Sequence, residues 1–463
     1  MKKINIFIVV SLSLLLFSCA TDTGVSKHVY TLNQNLLKDG NTAQVVANIA
    51  GSRGDYNDAV LYYMDLGFAK FYNGEYLDAA DMLDCAEDAI AEYSVQSVSE
   101  NLSALLKNDY SIAYPGEKYE EVLVDTFAAI AYEMAGDSEA AMVEVRQADI
   151  KLTDYKYNAE EQESGLEKLV LAITPDPFRY LEVESVSDFT GSAIVDYMSM
   201  IMYRGNGDLS NAEVDYRRIQ NKLSDPTVVT TDEIEIPSGM ARVNLISFEG
   251  LIGSKTALSA WGVTRSLLTG NTVTHKISWP WFEVNESEVV NVTLYCSNGQ
   301  SVSAKQIEDF NEMAKETLAM DVKSTYLKSF YRGYTKMNTT MTAAQTAYDA
   351  AMKAADSAYQ SVASNGNPLA TLAAAAAKRG AEELAKKAYN EALEAVNNTE
   401  IADTRMAQLL PARASVAGLT LEPGVYDFRI MYTLRDGRVI TKEYNSYTVE
   451  AGKTNLLLGT CAN

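Results

Sequence analysis

A short punctuation recurs four times in the first half of the chain: Gly54-Asp55 with Ala59, Gly74-Glu75 with Ala79, Gly136-Asp137 with Ala141, and Gly207-Asp208 with Ala212. Glycine closes a helix in the left-handed conformation, and the acid after it favours the first turn of the next. Alanine five residues beyond the glycine lets the second helix approach the first. Apolar residues continue at helical spacing behind these turns, at Leu83 and Ala86, Val145 and Ala148, and Tyr216 and Ile219. Residues 41–223 therefore read as helical hairpins whose Tyr, Leu and Ala stripes form the core.

These hairpins look like tetratricopeptide (TPR) repeats, which bury one face only by stacking. The glycines stand 20, 62 and 71 residues apart, which breaks the period of about 34. Irregular TPR-like pairs with insertions fit the spacing, and a simple helical bundle fits the same stripes. Between residues 61 and 163 there are 23 acids against 6 bases. Such a run is a solvated helical face or a surface that selects a basic partner. Concave TPR faces hold extended peptides, which makes Tyr119, Glu120, Glu144 and Arg146 candidate partner-binding residues. Glu144 and Arg146 are two apart and cannot both face one way on a helix, so at most part of the set is a site.

Pro226 and Pro237 end the helical region. Strand-like runs follow at Arg242–Phe248 and Val289–Cys296, and Ser303 with Gln306 has the spacing of a capping box where helix resumes. Ile307, Phe310, Ala314, Leu318 and Val322 then share a stripe. Thr342 to Val396 is rich in Ala, Lys, Glu and Tyr, strong helix formers, and Asn365-Gly366-Asn367-Pro368 divides it into a helical hairpin. The charges from Lys378 to Lys387 argue against membrane insertion of this pair. After Pro423-Gly424 the chain turns to strands, with Asp436-Gly437 as a hairpin turn. The expected fold is α+β, mostly α: a TPR-like α-hairpin domain (41–223), then a small antiparallel β-sandwich domain in two parts (224–300 and 401–463). A long Ala-rich helical insertion (301–400) interrupts the second domain.

At the N-terminus, Lys2 and Lys3 precede an apolar run from Ile4 to Phe17, which ends Leu16-Phe17-Ser18-Cys19. This has the n-region and h-region of a secretory signal over residues 1–18. The small residue and Cys at its end resemble the lipobox of bacterial lipoproteins. The resemblance implies acylation of Cys19, a lipid-anchored linker over 19–40 and attachment to a membrane through several acyl chains. Ala20 rather than Asp after the Cys favours the outer membrane of a Gram-negative cell, on its periplasmic face. No later segment approaches the roughly 18 apolar residues of a spanning helix.

Acids outnumber Lys plus Arg by 62 to 39, for a net charge of −23, which argues against nucleic acid as a partner. Two histidines and four cysteines leave little material for a transition-metal site, and no metal or cofactor is expected. With Cys19 acylated, Cys296 and Cys461 both lie in strand-like segments and form a candidate disulfide.

Three groups of segments together resemble a family of uncharacterised bacterial lipoproteins with an N-terminal TPR-like region. The first is Tyr114 through Val124 with Tyr132, Gly136-Asp137 and Glu144 through Ala148. The second is Phe248 through Leu251 with Lys255 and the strand around Ile277–Phe282. The third is Ala402-Asp403-Thr404-Arg405, Leu410-Pro411 and Leu421 through Tyr426. Met406 and Ala407 stand where the family often has Trp, so an aromatic plug is absent. The resemblance implies no enzyme activity, and a place in the envelope beside small lipoproteins linked to activation of cell-wall synthases.

The chain holds no Gly-x-Ser-x-Gly elbow, Walker loop or paired His at metal spacing, and no catalytic residue is assigned. Asp403 and Arg405 read as a structural pair at the junction of the insertion and the C-terminal strands, with Arg405 suited to a buried bidentate contact. Trp279 and Trp281, two apart on a strand, form either a sugar-stacking platform or packing for the β-domain. The expected function is a non-enzymatic outer-membrane scaffold of an envelope assembly, with envelope proteins as partners and the oligomeric state open. The alternative is a glycan-binding lipoprotein of a nutrient-uptake system, and an enzyme acting on cell-wall material is third.

Overall fold

The computed structural model describes residues 27–53, 58–99, 107–152, 170, 191–265 and 270–463. The signal segment, Cys19 and the Gly54-Asp55 turn lie outside these residues. The chain is mixed α and β, about 54% helix and 23% strand, so the expected helical majority holds.

The first half comprises α1 (Lys27–Lys38), α2 (Thr42–Gly51), α3 (Ala59–Asn73), α4 (Tyr76–Ser99), α5 (Lys118–Ala135), α6 (138–152), α7 (Ala193–Gly205) and α8 (Leu209–Lys222). The three described turns share one geometry. Gly74, Gly136 and Gly207 have φ of 79°, 88° and 80°. The next N–H reaches five residues back in each, Glu75 to Lys70 at 3.0 Å, Asp137 to Tyr132 at 2.9 Å and Asp208 to Tyr203 at 2.8 Å, which is a Schellman closure. Ala79, Ala141 and Ala212 are all fully buried. Gly40-Asn41 repeats the closure, with φ of 76° and Asn41 N–H on Leu36 at 2.8 Å. There an amide replaces the acid and Val45 replaces the Ala, so the sequence pattern passed over it. The helices pack closely: a Cβ on Gly67 would lie 2.8 Å from Leu83.

The strands are β1 (Ala241–Glu249), β2 (Ser254–Arg265), β3 (Thr272–Glu283), β4 (Val289–Cys296), β5 (Ser301–Ser303), β6 (Lys305–Asp309), β7 (Arg413–Leu421), β8 (Gly424–Leu434), β9 (Val439–Val449) and β10 (Asn455–Cys461). One sheet runs β10-β1-β7-β6, a second β5-β4-β8-β9, and β2-β3 form a separate ribbon. Val243, Leu245, Leu419 and Leu457 of the first sheet share a core with Leu294, Phe428, Ile430 and Tyr432 of the second. The expected antiparallel arrangement is corrected at one pair. β10 runs parallel to β1, with Val243 opposite Asn455, because the chain leaves β9 in one sheet and turns across into the other. The expected capping box at Ser303 and Gln306 is also corrected. Both belong to strands, β6 pairs with β7, and the helix starts at Phe310, where Asp309 accepts the N–H groups of Asn311 and Glu312.

The other face of the first sheet lies on the helices. Phe71 of α3, Phe127 of α5, Phe248 of β1 and the Phe310 that begins the next helix form a chain of rings, with centroids 5.0, 4.6 and 6.2 Å apart in succession. Each such pair is worth about 0.5–1.5 kcal/mol beyond its burial. Helices and sheet thus share one continuous core.

Two long helices, α9 (Phe310–Ala363) and α10 (Pro368–Asn398), form the expected hairpin, with Asn367 capping α10. The buried residues of α9 end at Asn338, and α10 has none. Beyond that point the pair is an arm of two helices, about 25 residues or ~37 Å in length. Its root crosses β3 at Gly333, where a Cβ would lie 2.5 Å from the Lys276 carbonyl oxygen. Among the described residues no helix is long and apolar enough to cross a membrane.

Candidate functional site

The segment 403–408 enters the molecule between α1, α5 and β2. Arg405 is its centre. Its Nε and Nη2 donate to the two oxygens of Asp403 at 3.0 and 2.7 Å, and its Nη1 donates to both oxygens of Asp58 at 3.1 Å. The guanidinium also donates to the carbonyls of Asp109 and Ile112, and it lies 5.3 and 5.2 Å from the rings of Tyr110 and Tyr114. Burial would raise the Asp403 carboxyl, but the bonds from Arg405 and the charge of Lys255 hold it below its ordinary value. The structural role expected of Asp403 and Arg405 is what the geometry supports, with Asp58 as an unanticipated third partner.

Tyr119 and Glu120 belong to the same interior and not to a groove surface, which corrects their reading as partner residues. Both are buried. Glu120 accepts from the Ala407 N–H at 2.7 Å, the Tyr114 hydroxyl at 2.6 Å and the Glu117 N–H at 2.9 Å. The last bond is half of the capping box of α5. Burial, with the charge of Glu117, pushes Glu120 up to about 7. Lys255 pairs with Glu117; burial would lower its pKa, but Glu117, Asp403 and Glu120 hold it above the ordinary value.

A cleft of about 520 Å³ opens over this network, lined by Gln34, Ser254, Thr256, Asn285, Thr404 and Gln408 among others. The cations on its floor are already neutralised from within. Hydroxyl and amide groups face the cleft beside the exposed Lys38 and Glu283, a lining suited to hydrogen bonds with a peptide or a glycan.

Glu144 and Arg146 lie elsewhere. Glu144 joins Glu87 and Asp125 in a group whose carboxylate oxygens lie within 4.8 Å of one another. Lys151 donates to Glu87 at 2.9 Å and to Asp125 at 2.7 Å. Burial pushes Asp125 up to about 8 and, with Asp84 and Glu87, Glu144 up to about 7. Among the described residues, these three could hold a metal ion, and a divalent cation would have to displace the Lys151 ammonium. Arg146 is exposed and lines a separate groove with Asp149, Ser199, Tyr203, Asp215 and Arg218. The four candidate partner residues therefore occupy three different places.

Trp279 and Trp281 are divided too. Trp279 packs edge-on against Tyr326 of α9 with centroids 5.3 Å apart, whereas Trp281 is 48% exposed. Trp279 and Trp281 therefore do not form a two-ring platform, and the ribbon's other exposed indole is Trp261 of β2, which is 63% exposed. Cys296 and Cys461 are free thiols on strands of the two facing sheets. The candidate disulfide is not formed, and both act as small buried apolar residues.

Two further ionic clusters carried no sequence signal. Glu233, in the loop before β1, takes Arg204 of α7 at 2.8 Å and Arg242 of β1 at 2.7 Å, and Asn244 ties it to the Tyr197 hydroxyl. At the arm's root, Arg332 donates to Glu400 at 2.6 Å and to Asp109 at 3.2 Å. Glu308 of β6 is a third case: its Oε2 accepts from Ser192 Oγ at 2.9 Å and the Ala193 N–H at 2.7 Å, capping α7 from a strand.

Burial pushes Glu308 up to about 7, against the pull of Ser192 and the α7 amides. A carboxyl raised on folding stabilises fully below its unfolded value of about 4.3 and loses that contribution as pH rises through the folded value. The melting temperature should therefore fall between pH 5 and 8, with Glu120 and Asp125 adding to the trend. Glu308→Gln keeps the acceptor and removes the titration, so its decline should be shallower by on the order of 1–3 kcal/mol. Parallel melting profiles for the two proteins would rule this out.

No protein-family model, no curated protein and no solved structure matches the chain.

Proposed function

We propose that this chain is a lipid-anchored, non-enzymatic scaffold of a bacterial envelope assembly, held through Cys19 to the periplasmic face of the outer membrane. Its helical hairpins are irregular TPR-like pairs, and its two four-stranded sheets form a small sandwich from which the arm is an insertion. The resemblance to envelope lipoproteins supports the place, and cell-wall synthesis is the process it suggests.

The observation that carries the scaffold reading is the arm. More than fifty residues form two helices of which nothing beyond Asn338 is buried. The arm adds little to the core that folds the chain, so its surface is available for something outside. The polar cleft beneath segment 403–408 is the second place where a partner fits.

The test is affinity capture of the tagged full-length protein from native membranes after mild crosslinking. Cys19→Ala and a variant with residues 344–391 replaced by a short Gly-Ser turn are the comparisons. One or two envelope proteins should be recovered with the parent, fewer with Cys19→Ala, and none with the armless chain. Capture of the same proteins by the armless chain would overturn the assignment to the arm. Recovery of a glycan and no protein would replace the scaffold with a glycan-binding role.

A further inference from the structure

The acidic run of the first half converges on one point among its helices. Glu87 of α4, Asp125 of α5 and Glu144 of α6 bring carboxylate oxygens within 4.8 Å of one another. Each comes from a different helix, so tertiary packing and not adjacency in the chain sets them face to face. Like charges held this close repel, and burial strengthens the repulsion. Lys151 of α6 answers only part of it. Its ammonium pairs with Glu87 at 2.9 Å and with Asp125 at 2.7 Å, and not with Glu144.

Orphaned oxygens supply a second reason to look for a cation here. Asp125 is fully buried; its Oδ1 takes the Lys151 ammonium, and its Oδ2 meets no hydrogen-bond donor. Asp84, one turn before Glu87 on α4, repeats the pattern. Its Oδ2 accepts from the Tyr132 hydroxyl at 2.5 Å, and its buried Oδ1 accepts from nothing. Its charge also acts on Glu144. Buried polar atoms in a native fold are ordinarily bonded, and an exception calls for an explanation. Two orphaned carboxylate oxygens beside an unpaired glutamate share one explanation, a cation of higher charge than an ammonium.

We propose that Glu87, Asp125 and Glu144 bind one hard divalent cation, calcium, in exchange for the Lys151 ammonium. The donors are carboxylate oxygens alone, a set that suits Ca²⁺ or Mg²⁺ and not the metals that select His or Cys. Ca²⁺ accepts irregular sets of oxygens at about 2.3–2.6 Å, so two such bonds end to end span the 4.8 Å limit of this cluster. Mg²⁺ demands a tighter octahedral set at about 2.0–2.1 Å. Lys151 stands in the last described turn of α6 with its side chain 22% exposed, so it can swing into water along the path by which the ion enters. The excess of acids over bases between residues 61 and 163, 23 to 6, raises the local concentration of cations. Bound calcium would tie α4, α5 and α6 together at one point. This inference stands apart from the scaffold reading and does not draw on it.

The experiment is calorimetric titration of CaCl₂ into chelator-stripped full-length protein in detergent at neutral pH. One ion per chain should bind, with a Kd on the order of 10⁻⁴–10⁻³ M, as in extracellular calcium modules. Lys151→Met removes the competing ammonium and should tighten binding at least tenfold. Glu144→Gln should weaken it at least tenfold. Without calcium, Glu144→Gln should melt at the parent's temperature or above, since it loses no ion pair and relieves repulsion. Calcium should therefore raise the melting temperature of Lys151→Met, and not that of Lys151→Met with Glu144→Gln. No binding by the parent or by Lys151→Met would overturn the proposal. So would binding undiminished by Glu144→Gln, which would mark calcium held loosely by the acidic surface. If Lys151→Met does not fold, the parent and Glu144→Gln decide alone, and equal binding by the two would overturn the proposal. Mg²⁺ binding as tightly as Ca²⁺ would overturn the choice of calcium.

Discussion

Replacing Arg405 with Ala should lower stability by about 3–5 kcal/mol, the range for breaking a buried ion pair by removing one partner. The guanidinium sits between Asp403 and Asp58, with two carbonyls and two tyrosine rings around it. Its removal leaves two carboxylates facing each other in a desolvated space. One must then take a proton or draw in water. The deficit should therefore be larger at pH 8 than at pH 4, where protonation relieves it. Arg405→Lys keeps a charge but not the planar fork that reaches both acids, so it should recover only part of the loss. Thermal melting of the three proteins at both pH values checks this, with a fall of about 3–5 °C expected for Arg405→Ala near neutrality. A change of less than about 1 °C would mean that the network contributes geometry and little stability.

Glu233→Ala should be at least as damaging, for the opposite reason. One carboxylate there serves two buried guanidiniums, Arg204 and Arg242. Burial alone would raise Glu233, yet the two cations hold it below its ordinary value. Without it two positive charges remain beside each other, with Asn244 and the Glu233 backbone carbonyl as partners. A loss of about 4–5 kcal/mol follows. Glu233→Leu combined with Arg242→Leu should be markedly less destabilised than Glu233→Leu alone, because the pair leaves together. Urea denaturation of the single and double variants gives the comparison. Additive losses would show that the two residues do not act on each other.

What could be read from sequence was local. The turns at Gly74, Gly136 and Gly207 were legible because a left-handed glycine and the acid after it are neighbours in the chain. The arm was legible because Ala-rich helix and an Asn-Gly-Asn-Pro break need no tertiary context. The ribbon of β2 and β3 was largely missed: Ser254–Arg265 pairs only with β3 and alternates poorly between inside and outside. The capping-box spacing at Ser303 lost to pairing with β7, a tertiary contact. At the site, Arg405 could be singled out as a buried fork, but Asp58 could not, since 347 positions separate them. Tyr119 and Glu120 were assigned to the wrong side of α5 because adjacency on a helix does not say which face meets the core.

The position of β10 ties the two halves of the molecule together. Leu456, Leu458 and Ala462 belong to the same core as Val60 and Phe127, and Asn463 donates to the Lys38 carbonyl at 3.0 Å. The strand closes one edge of β1 while its side chains reach the helices, so without it β1 has an open edge and the helices an uncovered apolar face. Helices and sheet should therefore come apart in one cooperative step and not as separate units.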